Sequence, residues 1–325
     1  MKSQWVLTGL CVGLLLTACS KDQQDVSTTK EEITTINFGY FPIAYMTPLF
    51  VAQEKGFFAE AGLKVELKDM RGSPQVTGAM AGGALDGGSV SFISTVMARK
   101  KGVPIRIVAS FGHSAPDKST QGLAVLKSSG IRSMSDLQGK SVGAMMKGTE
   151  PWFHTVAALK EAGVADFKYI ELRQEEVPPA LKAGTIDVGN IGEPWRTMMG
   201  DQLHFIHEIQ NISGAAGYAF SEQFIKNHPE AVKGWLAALE KAIIYVAEND
   251  KEAREILSKY TKVPPHVVMK VTLPSWDPSS RILEDEADKV LGWLVEYGMA
   301  QKKPPLESIF DFSFTGKTTL DDLYP

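Results

Sequence analysis

The stretch INFGYFPIAYMTPLFVAQEKGFFAEAGLKVELK, residues 36–68, decides the fold class of this chain. Its first five residues alternate between apolar and polar side chains, which is typical of a half-buried strand. Thr47 and Pro48 then form a helix start, with an N-cap hydroxyl followed by a proline at the first helical position. We expect this helix to continue to Ala61 and to end at Gly62. Alternation returns at the end of the stretch, which therefore predicts a strand–helix–strand unit.

Strands and helices continue to alternate on the carboxyl side of this unit. Further strands are predicted at residues 105–109, 123–126, 141–144, 169–172, 186–189 and 204–209, and helices at residues 74–80, 90–101, 150–162 and 178–182. This alternation predicts mainly parallel sheets with helices on their faces, which is an α/β fold. After Gly217 the apolar residues recur with helical spacing, so we expect a helical tail that packs on the first lobe.

The chain has 325 residues, which is longer than one hydrophobic core usually organises, so two lobes are expected. We assign residues 36–115 and 215–325 to lobe 1 and residues 120–212 to lobe 2. The chain then crosses between the lobes near residues 112–122 and again near residues 210–220.

Composition and motifs exclude several classes of function. The formal net charge is -4, and a protein that binds the phosphate backbone broadly needs a basic face, so we expect no nucleic-acid partner. The sequence contains no Gly-x-Ser-x-Gly elbow, no His-x-x-x-His spacing and no Gly-x-x-x-x-Gly-Lys loop. We therefore expect no catalysis, no metal and no cofactor.

The amino terminus resembles an export signal. Its apolar run, residues 5–16, is shorter than the roughly 20 apolar residues that a spanning helix needs, and it fits the apolar region of a signal peptide. The run ends in LTAC, residues 16–19, which resembles the bacterial lipobox, in which the cysteine becomes the first mature residue and is lipidated. The alternative is ordinary cleavage near Ala18, with Cys19 incidental.

The lipobox resemblance implies a signal peptide over residues 1–18 and a lipidated Cys19. Residues 19–35 form a polar tether, which cannot repay its ordering entropy by burial. A flexible chain of about 15 residues reaches roughly 20 Å. We therefore expect an exported protein, anchored through its lipid on the periplasmic or cell-surface face of a bacterial membrane.

Six segments of the chain resemble one family in consecutive order. They are FVAQEKGFF (50–58), AGLKVE (61–66), SDLQGKSVG (135–143), LKEAG (159–163), AGTIDV (183–188) and EPW (193–195). As a set they resemble type II periplasmic substrate-binding proteins of ABC importers, in the nitrate, sulfonate, taurine and thiamine-precursor class. The resemblance implies a monomer whose two lobes close on a small-molecule solute and whose partner is the transmembrane permease.

The resemblance leaves two alternatives to transport. Eukaryotic pyrimidine synthases of the thiamine-precursor branch share the lobe architecture, and they carry a cysteine-rich motif with a reactive Lys/His pair. This sequence has cysteine only at Cys11 and Cys19, so we expect the protein not to be an enzyme. The second alternative is a solute sensor that docks on a membrane receptor.

The predicted ligand site is the gap between the lobes, because ligands of open α/β sheets bind beyond the carboxyl ends of the strands. The candidate residues are Tyr40, Tyr45, Ser91, Phe111, His113, Thr149, Trp152, Glu193 and Trp195. The aromatic side chains would stack on planar ligands or cations, or would form core between the lobes. Thr149, like Thr47 and Ser94, would lie at a helix N-terminus, where it would favour an anion or simply cap the helix.

Glu193 is the sharpest of these candidates. Its carboxylate would accept hydrogen bonds from an amine or ring N–H of the solute, or would cap the start of a helix. His113 would donate to the solute or be a satisfied loop histidine. Lys147 and Arg196 are the basic residues expected near the gap. So few basic groups favour a small organic solute, aromatic, heterocyclic or sulfonate-type, over an inorganic anion.

Overall fold

The computed structural model describes residues 33–114, 118–209, 216–261 and 263–324. The predicted signal peptide and the predicted lipidation at Cys19 lie outside the described residues, as does most of the predicted tether. The end of the tether is described. Thr34 and Thr35 already belong to the first strand there, so this strand begins earlier than predicted.

Lobe 1 is built on a five-stranded sheet. Its strands and flanking helices are β1 (Thr34–Tyr40), α1 (Thr47–Glu54), α2 (Phe57–Glu60), β2 (Leu63–Asp69), α3 (Ser73–Ala81), β3 (Gly87–Ser91), α4 (Phe92–Lys100), β4 (Ile105–Ser110) and, after lobe 2, β10 (Ala216–Ser221). The strands lie side by side in the order β2-β1-β3-β10-β4.

Lobe 2 repeats this plan with a second five-stranded sheet. Its elements are β5 (Gln121–Leu126), β6 (Lys140–Ala144), α5 (Glu150–Glu161), β7 (Phe167–Glu171), α6 (Val177–Lys182), β8 (Val188–Gly192), α7 (Trp195–Met199) and β9 (Leu203–Ile209). The order across the sheet is β7-β6-β8-β5-β9.

In each sheet four strands share one direction and one strand runs against them. The reversed strand is β10 in lobe 1 and β5 in lobe 2, and each is the first strand after the chain crosses from the other lobe. This arrangement confirms the predicted α/β fold with two mainly parallel sheets. Because the other strands are parallel, their carboxyl ends share one edge of each sheet.

The helix predicted from Thr47 to Ala61 is in fact two helices. α1 ends at Glu54 and α2 begins at Phe57, and Gly56 between them has φ +75°. This left-handed conformation is accessible to glycine at little cost, and it redirects the chain. The prediction of one continuous helix was therefore wrong at this turn.

Strand β10 was not predicted, because we expected only helices after residue 217, and β3 occupies the start of the helix predicted over residues 90–101. The two strands pair with each other, and the glycines of β3 leave room for neighbouring side chains. A Cβ on Gly87 would lie 2.7 Å from the ring of Phe220, and a Cβ on Gly88 would lie 2.4 Å from Val76. Glycine is depleted in strands, so local propensity gave no signal for strands that tertiary contact requires.

The tail begins after β10 and is mostly helical. Its elements are α8 (Glu222–Asn227), α9 (Pro229–Glu248), α10 (Asp250–Thr261), α11 (Pro265–Val268), β11 (Ile282–Leu283), α12 (Glu284–Glu296), α13 (Phe312–Thr315), β12 (Lys317–Thr318) and α14 (Leu320–Leu323). α9 packs on α1 and α2 of lobe 1 and buries Trp235 completely. The Trp235 ring stacks on Phe38 with centroids 5.0 Å apart.

Helix α12 of the tail contacts both lobes. It packs on α4 of lobe 1, and its Trp293 stacks on Phe153 of α5 in lobe 2, with ring centroids 5.7 Å apart. Lys160 of α5 also forms an ion pair with Glu296 at 2.5 Å. We call this contact between α5 and α12 the lobe seam. The expectation that the tail packs on lobe 1 was therefore incomplete.

Candidate functional site

Tyr45 joins the first strand-end loop of lobe 1 to the first crossing between the lobes. Its hydroxyl lies 3.0 Å from Thr120 Oγ1 and 3.2 Å from Ser114 Oγ, and the two smaller hydroxyls are 3.2 Å apart. Burial raises the pKa of Tyr45 to about 12, against the opposing effect of these hydrogen bonds. The phenol therefore stays protonated and can donate a hydrogen bond at neutral pH.

Residues 271–280, between α11 and β11, lie across the strand ends, and we call this segment the strap. His113 and Ser275 exchange two backbone hydrogen bonds, of 2.8 and 2.7 Å. Ser110 at the end of β4 donates its N–H to Ser280 O at 2.9 Å. Trp276 Nε1 donates to Tyr45 O at 3.2 Å. The strap thus closes over the loops that follow β1 and β4.

Gly112 makes the close approach of the strap possible. Its φ is +120°, which favours glycine, and a Cβ there would lie 2.6 Å from both Ser275 O and Trp276 Cδ1. A larger residue would have to push the strap away from the end of β4. The strap and the first crossing are therefore fitted to each other.

Glu193 follows β8 of lobe 2 and touches the strap. Its Oε2 accepts from Thr197 N at 3.1 Å, inside α7, as the predicted helix-start alternative describes. Its Oε1 accepts from Thr272 N at 3.1 Å, so the same carboxylate also joins lobe 2 to the strap. Both oxygens thus have backbone donors.

His113 lies at the end of β4 and is buried. Its Nε2 is 2.7 Å from the hydroxyl of Tyr324, in the last turn of the chain, and the two rings meet edge to face. Burial lowers the pKa of His113 and so favours the neutral imidazole. This partner fits the alternative of a satisfied loop histidine.

The two predicted hydroxyl sites form local hydrogen bonds at helix starts. Ser91 Oγ accepts from Ser94 N at 3.1 Å and caps α4, while Ser91 N donates to Ser73 Oγ at 2.8 Å. Thr149 Oγ1 instead donates to Met146 O at 2.7 Å, and it does not cap the amides of α5. The first turn of α5 therefore keeps amide donors that no side-chain cap occupies.

The predicted aromatic residues divide into core and strand-end groups. Tyr40 packs edge-on against Phe50, Phe111 packs on Tyr218, and Trp152 packs edge-on against Tyr297 in the lobe seam; all three predicted residues are buried. Tyr45 and Trp195 remain half-buried. Trp276 of the strap is a third half-buried ring, and it bonds the carbonyl oxygen of Tyr45.

The two basic residues expected near the gap have partners of their own. Arg196 binds Glu208 through two hydrogen bonds, of 2.6 and 2.9 Å, and its guanidinium lies 3.9 Å from the ring centroid of Phe205. Lys147 is exposed, with Nζ 5.7 Å from the ring centroid of Trp152. Arg196 is therefore neutralised, and Lys147 stands at the solvent edge.

Sequence reasoning missed the strap and the hydroxyl pair at Ser114 and Thr120. We treated the tail after Gly217 as helical, although Pro274 and Pro278 flank Trp276 in the sequence. Prolines at this spacing interrupt a helix and were an available signal for an irregular segment. The contact of the strap with the end of β4 could not be predicted, because it joins residues far apart in sequence.

Within the described part of the chain, no three His, Cys, Asp or Glu side chains are grouped so that they could hold a metal ion. Among the same residues, no helix combines the length and the apolar character that crossing a bilayer requires.

Two sheets of matching strand order, joined by reversed crossing strands, define a two-lobed binding-protein fold. The crystal structure of the periplasmic aliphatic sulphonate binding protein SsuA from Escherichia coli has this fold. It superposes with a TM-score of 0.70 at 16% identity, covering 88% of this chain and 93% of that one. The chain belongs to the NMT1/THI5-like family, whose model matches residues 43–253.

Two sequence relatives are named for different functions. The 4-amino-5-hydroxymethyl-2-methylpyrimidine phosphate synthase of Legionella pneumophila is 26% identical over 314 residues, covering 92% of this chain and 97% of the relative. A candidate aliphatic sulfonates-binding protein of Bacillus subtilis is 24% identical over 286 residues, covering 84% of this chain and 85% of the relative. Family membership therefore leaves both solute binding and pyrimidine synthesis to be weighed.

Proposed function

We propose that this protein is the extracytoplasmic, lipid-anchored solute-binding subunit of an ABC importer. It captures a small organic solute between its lobes by hinge closure and delivers it to a transmembrane permease. Solute shifts the hinge equilibrium because it binds the closed form better than the open form.

One observation carries this proposal. The strand-end loops of lobe 1, the first crossing and Glu193 of lobe 2 are all linked to one segment, the strap. Ligand sites of open α/β sheets lie at such strand ends. The sulphonate-binding protein SsuA has the same fold. This placement supports capture between lobes better than chemistry at a single loop.

The half-buried groups at the strand ends favour an organic solute. Tyr45, Trp195 and Trp276 offer flat apolar surface with hydrogen-bonding edges, which suits an aromatic, heterocyclic or sulfonate-type molecule. Arg196 is already paired with Glu208, so its guanidinium offers less free positive charge to a bare inorganic anion.

A thermal-shift screen tests solute capture. The chain from Ser20 onward, which retains every described residue, is heated with alkanesulfonates, aminopyrimidines, aromatic acids and nitrate. A solute at 100 times its Kd should stabilise the protein by about 2.7 kcal/mol. Calorimetric titration then gives the affinity. A screen in which no compound of these classes raises Tm would contradict the proposal.

A separate experiment tests the anchor. Wild-type protein should fractionate with bacterial membranes and incorporate a labelled fatty acid, whereas Cys19→Ser should do neither. A single acyl chain gives only marginal membrane affinity, so salt washes should be compared with detergent extraction. Equal membrane association of the two forms would show that Cys19 is incidental.

The second candidate function is pyrimidine synthesis, favoured by the 26% identity to nearly the full length of the Legionella relative. Each compound that raises Tm should be incubated with the protein and followed by mass spectrometry. We expect unchanged compound, and any covalent product would favour the enzyme. If cells that lack this protein still take up the solute, the alternative of a solute sensor that docks on a membrane receptor would be favoured instead.

A further inference from the structure

The carboxylate of Glu193 is shared between two parts of the molecule. Its Oε2 bond to Thr197 N, at 3.1 Å, keeps it at the start of α7 in lobe 2. Its Oε1 bond to Thr272 N, also 3.1 Å, reaches into the tail. Hydrogen bonds to a charged acceptor are stronger than those to a neutral one, so this contact is a specific link between lobe 2 and the strap.

The strap is held on lobe 1 on both sides of Thr272. Before it, Arg254 of α10 donates from Nη1 to Val271 O at 2.8 Å. After it, Ser275 is paired with His113 through two backbone hydrogen bonds. Glu193 therefore grips a short segment whose two ends belong to the other lobe.

The grip of Glu193 has a consequence at the strand ends. Trp276 lies four residues after Thr272, and its indole N–H binds the carbonyl oxygen of Tyr45 at 3.2 Å. The indole also packs against Gly112, where no Cβ would fit. A shift of the strap at Thr272 would therefore move the aromatic surface that faces the predicted solute.

We propose that Glu193 is a positioning residue that latches the strap to lobe 2, and that the solute does not touch its carboxylate. The proposal rests on the proposed function, because it assigns Glu193 a part in closure of the solute site. It replaces the sequence-based expectation that Glu193 accepts a hydrogen bond from the solute.

The two possible roles of Glu193, contact with the solute and latching of the strap, differ in what binds Oε1. A solute N–H that took the place of the Thr272 amide at Oε1 would leave that donor without its acceptor. Solute would then loosen the strap. If Glu193 is a latch, solute binding strengthens closure and protects the same amide further. Amide hydrogen exchange over residues 270–276 reports these opposite outcomes directly.

The test compares variants of the two bonding partners in the chain from Ser20 onward, which keeps every described residue. Thr272→Pro removes the donor, Glu193→Gln removes the charge, and the double variant combines them. The probes are ethanesulfonate and 4-amino-5-hydroxymethyl-2-methylpyrimidine. Each single variant should bind the probe that stabilises wild type about tenfold more weakly, and the double variant should be no weaker than either.

Three further variants keep the test decisive if proline disturbs the strap. Thr272→Ala keeps the amide N–H and shows how much of the proline effect comes from the side chain. Glu193→Ala should speed exchange of the residue 270–276 amides about tenfold or more without any solute. Ser279→Ala, at an exposed strap position, controls for general loosening of the strap.

The possible results distinguish this proposal from the proposed function. Weak binding by Glu193→Gln together with wild-type affinity of Thr272→Pro would place Glu193 on the solute and overturn the latch. Unchanged exchange in Glu193→Ala would also overturn it. Absence of any probe binding to wild type would contradict solute capture, while the exchange measurement would still decide whether the latch exists.

Discussion

The two lobes share one strand order but differ in what covers their sheets. Lobe 1 is closed by the helical tail, and its core centres on Trp235, which stacks on both Phe38 and Phe58. The buried clusters of lobe 2 are largely aliphatic, with Leu159 as one member. One side of α5 packs instead on the tail, where Trp293 stacks on Phe153. Part of lobe 2 is therefore buried by α12, which also packs on lobe 1.

This difference indicates which defects should destabilise each lobe. A defect in the lobe 1 core removes contacts made within one lobe and its tail. A defect in the lobe seam removes contacts between lobes, so it should loosen lobe 2 before the whole molecule unfolds. The expected change in unfolding free energy is largest for the lobe 1 core. It then decreases to the lobe seam, the strap and the charged groups near the seam.

Trp235→Ala should have the largest effect. The ring is completely buried among aromatic neighbours, so its removal should cost about 4 kcal/mol of unfolding free energy. Denaturant unfolding measures the loss. Ile244→Ala on the same helix is the matched control, since this side chain is 45% exposed. A loss for Trp235→Ala no greater than that of the control would show that the lobe 1 core is not centred on this ring.

Phe153→Ala should cost about 3 kcal/mol and should act mainly on lobe 2. The ring is fully buried and packs on Trp293 across the seam. Amide exchange should accelerate in lobe 2 more than in lobe 1. A double-mutant cycle with Trp293→Ala should give a coupling energy of about 1 kcal/mol. Uniform acceleration in both lobes would remove the distinction drawn between them.

Gly112→Ala should cost about 2 kcal/mol, because the new Cβ meets the strap and the residue must keep φ +120°. Gly130→Ala is a matched control with φ +81° and open space around its Cβ. It should suffer backbone strain alone and lose about 1 kcal/mol. Thermal unfolding measures both variants, and equal losses would argue against tight packing of the strap on Gly112.

Glu286 should give the smallest effect, and its sign depends on pH. The side chain is buried at the start of α12, and burial raises its pKa although Lys289 and His154 oppose the shift. The folded state then holds the proton more tightly than the unfolded state, so stability is lost as pH rises through the raised pKa. Glu286→Gln should flatten this slope and gain less than about 1 kcal/mol at neutral pH.

The measurement for Glu286 is Tm against pH for the wild type and the glutamine variant. The two curves should converge in acid, where the carboxyl is protonated in both states, and separate towards neutral pH. Parallel curves across the whole range would show that Glu286 ionises as freely in the folded protein as in the unfolded chain.

Much of the fold was predictable because its signals are local. The first strand, the proline at the helix start and the alternation over residues 64–68 predicted a strand–helix–strand unit, and the structure has one there. The predicted N-cap role of Thr47 was wrong, because its Oγ1 donates to Ala44 O and Met46 holds the N-cap position. Strand order was harder, because β3 and β10 carry glycines that local propensity assigns elsewhere. Gly87 lets Phe220 of β10 approach β3 closely, and Gly88 does the same for Val76 of α3.

The sequence predicted the loops that carry the candidate residues better than it predicted the contacts of their side chains. Tyr45 and Glu193 follow strands, as expected, and both take part in contacts at the strand ends. Tyr40 and Trp152 also follow or flank strand ends, but their rings are directed into core and seam contacts. Sequence position gives the loop on which a side chain lies, whereas the direction it faces depends on the packing of distant elements.

The sequence alone determined the alternation of strands and helices, and with it the class of fold, since hydrophobic periodicity and helix-start chemistry act over a few residues. Tertiary structure decided that the strap lies over β4, that Trp276 reaches Tyr45, and that Glu193 meets Thr272. These contacts join residues far apart in the chain, and their geometry is set by how the two sheets and the tail pack together.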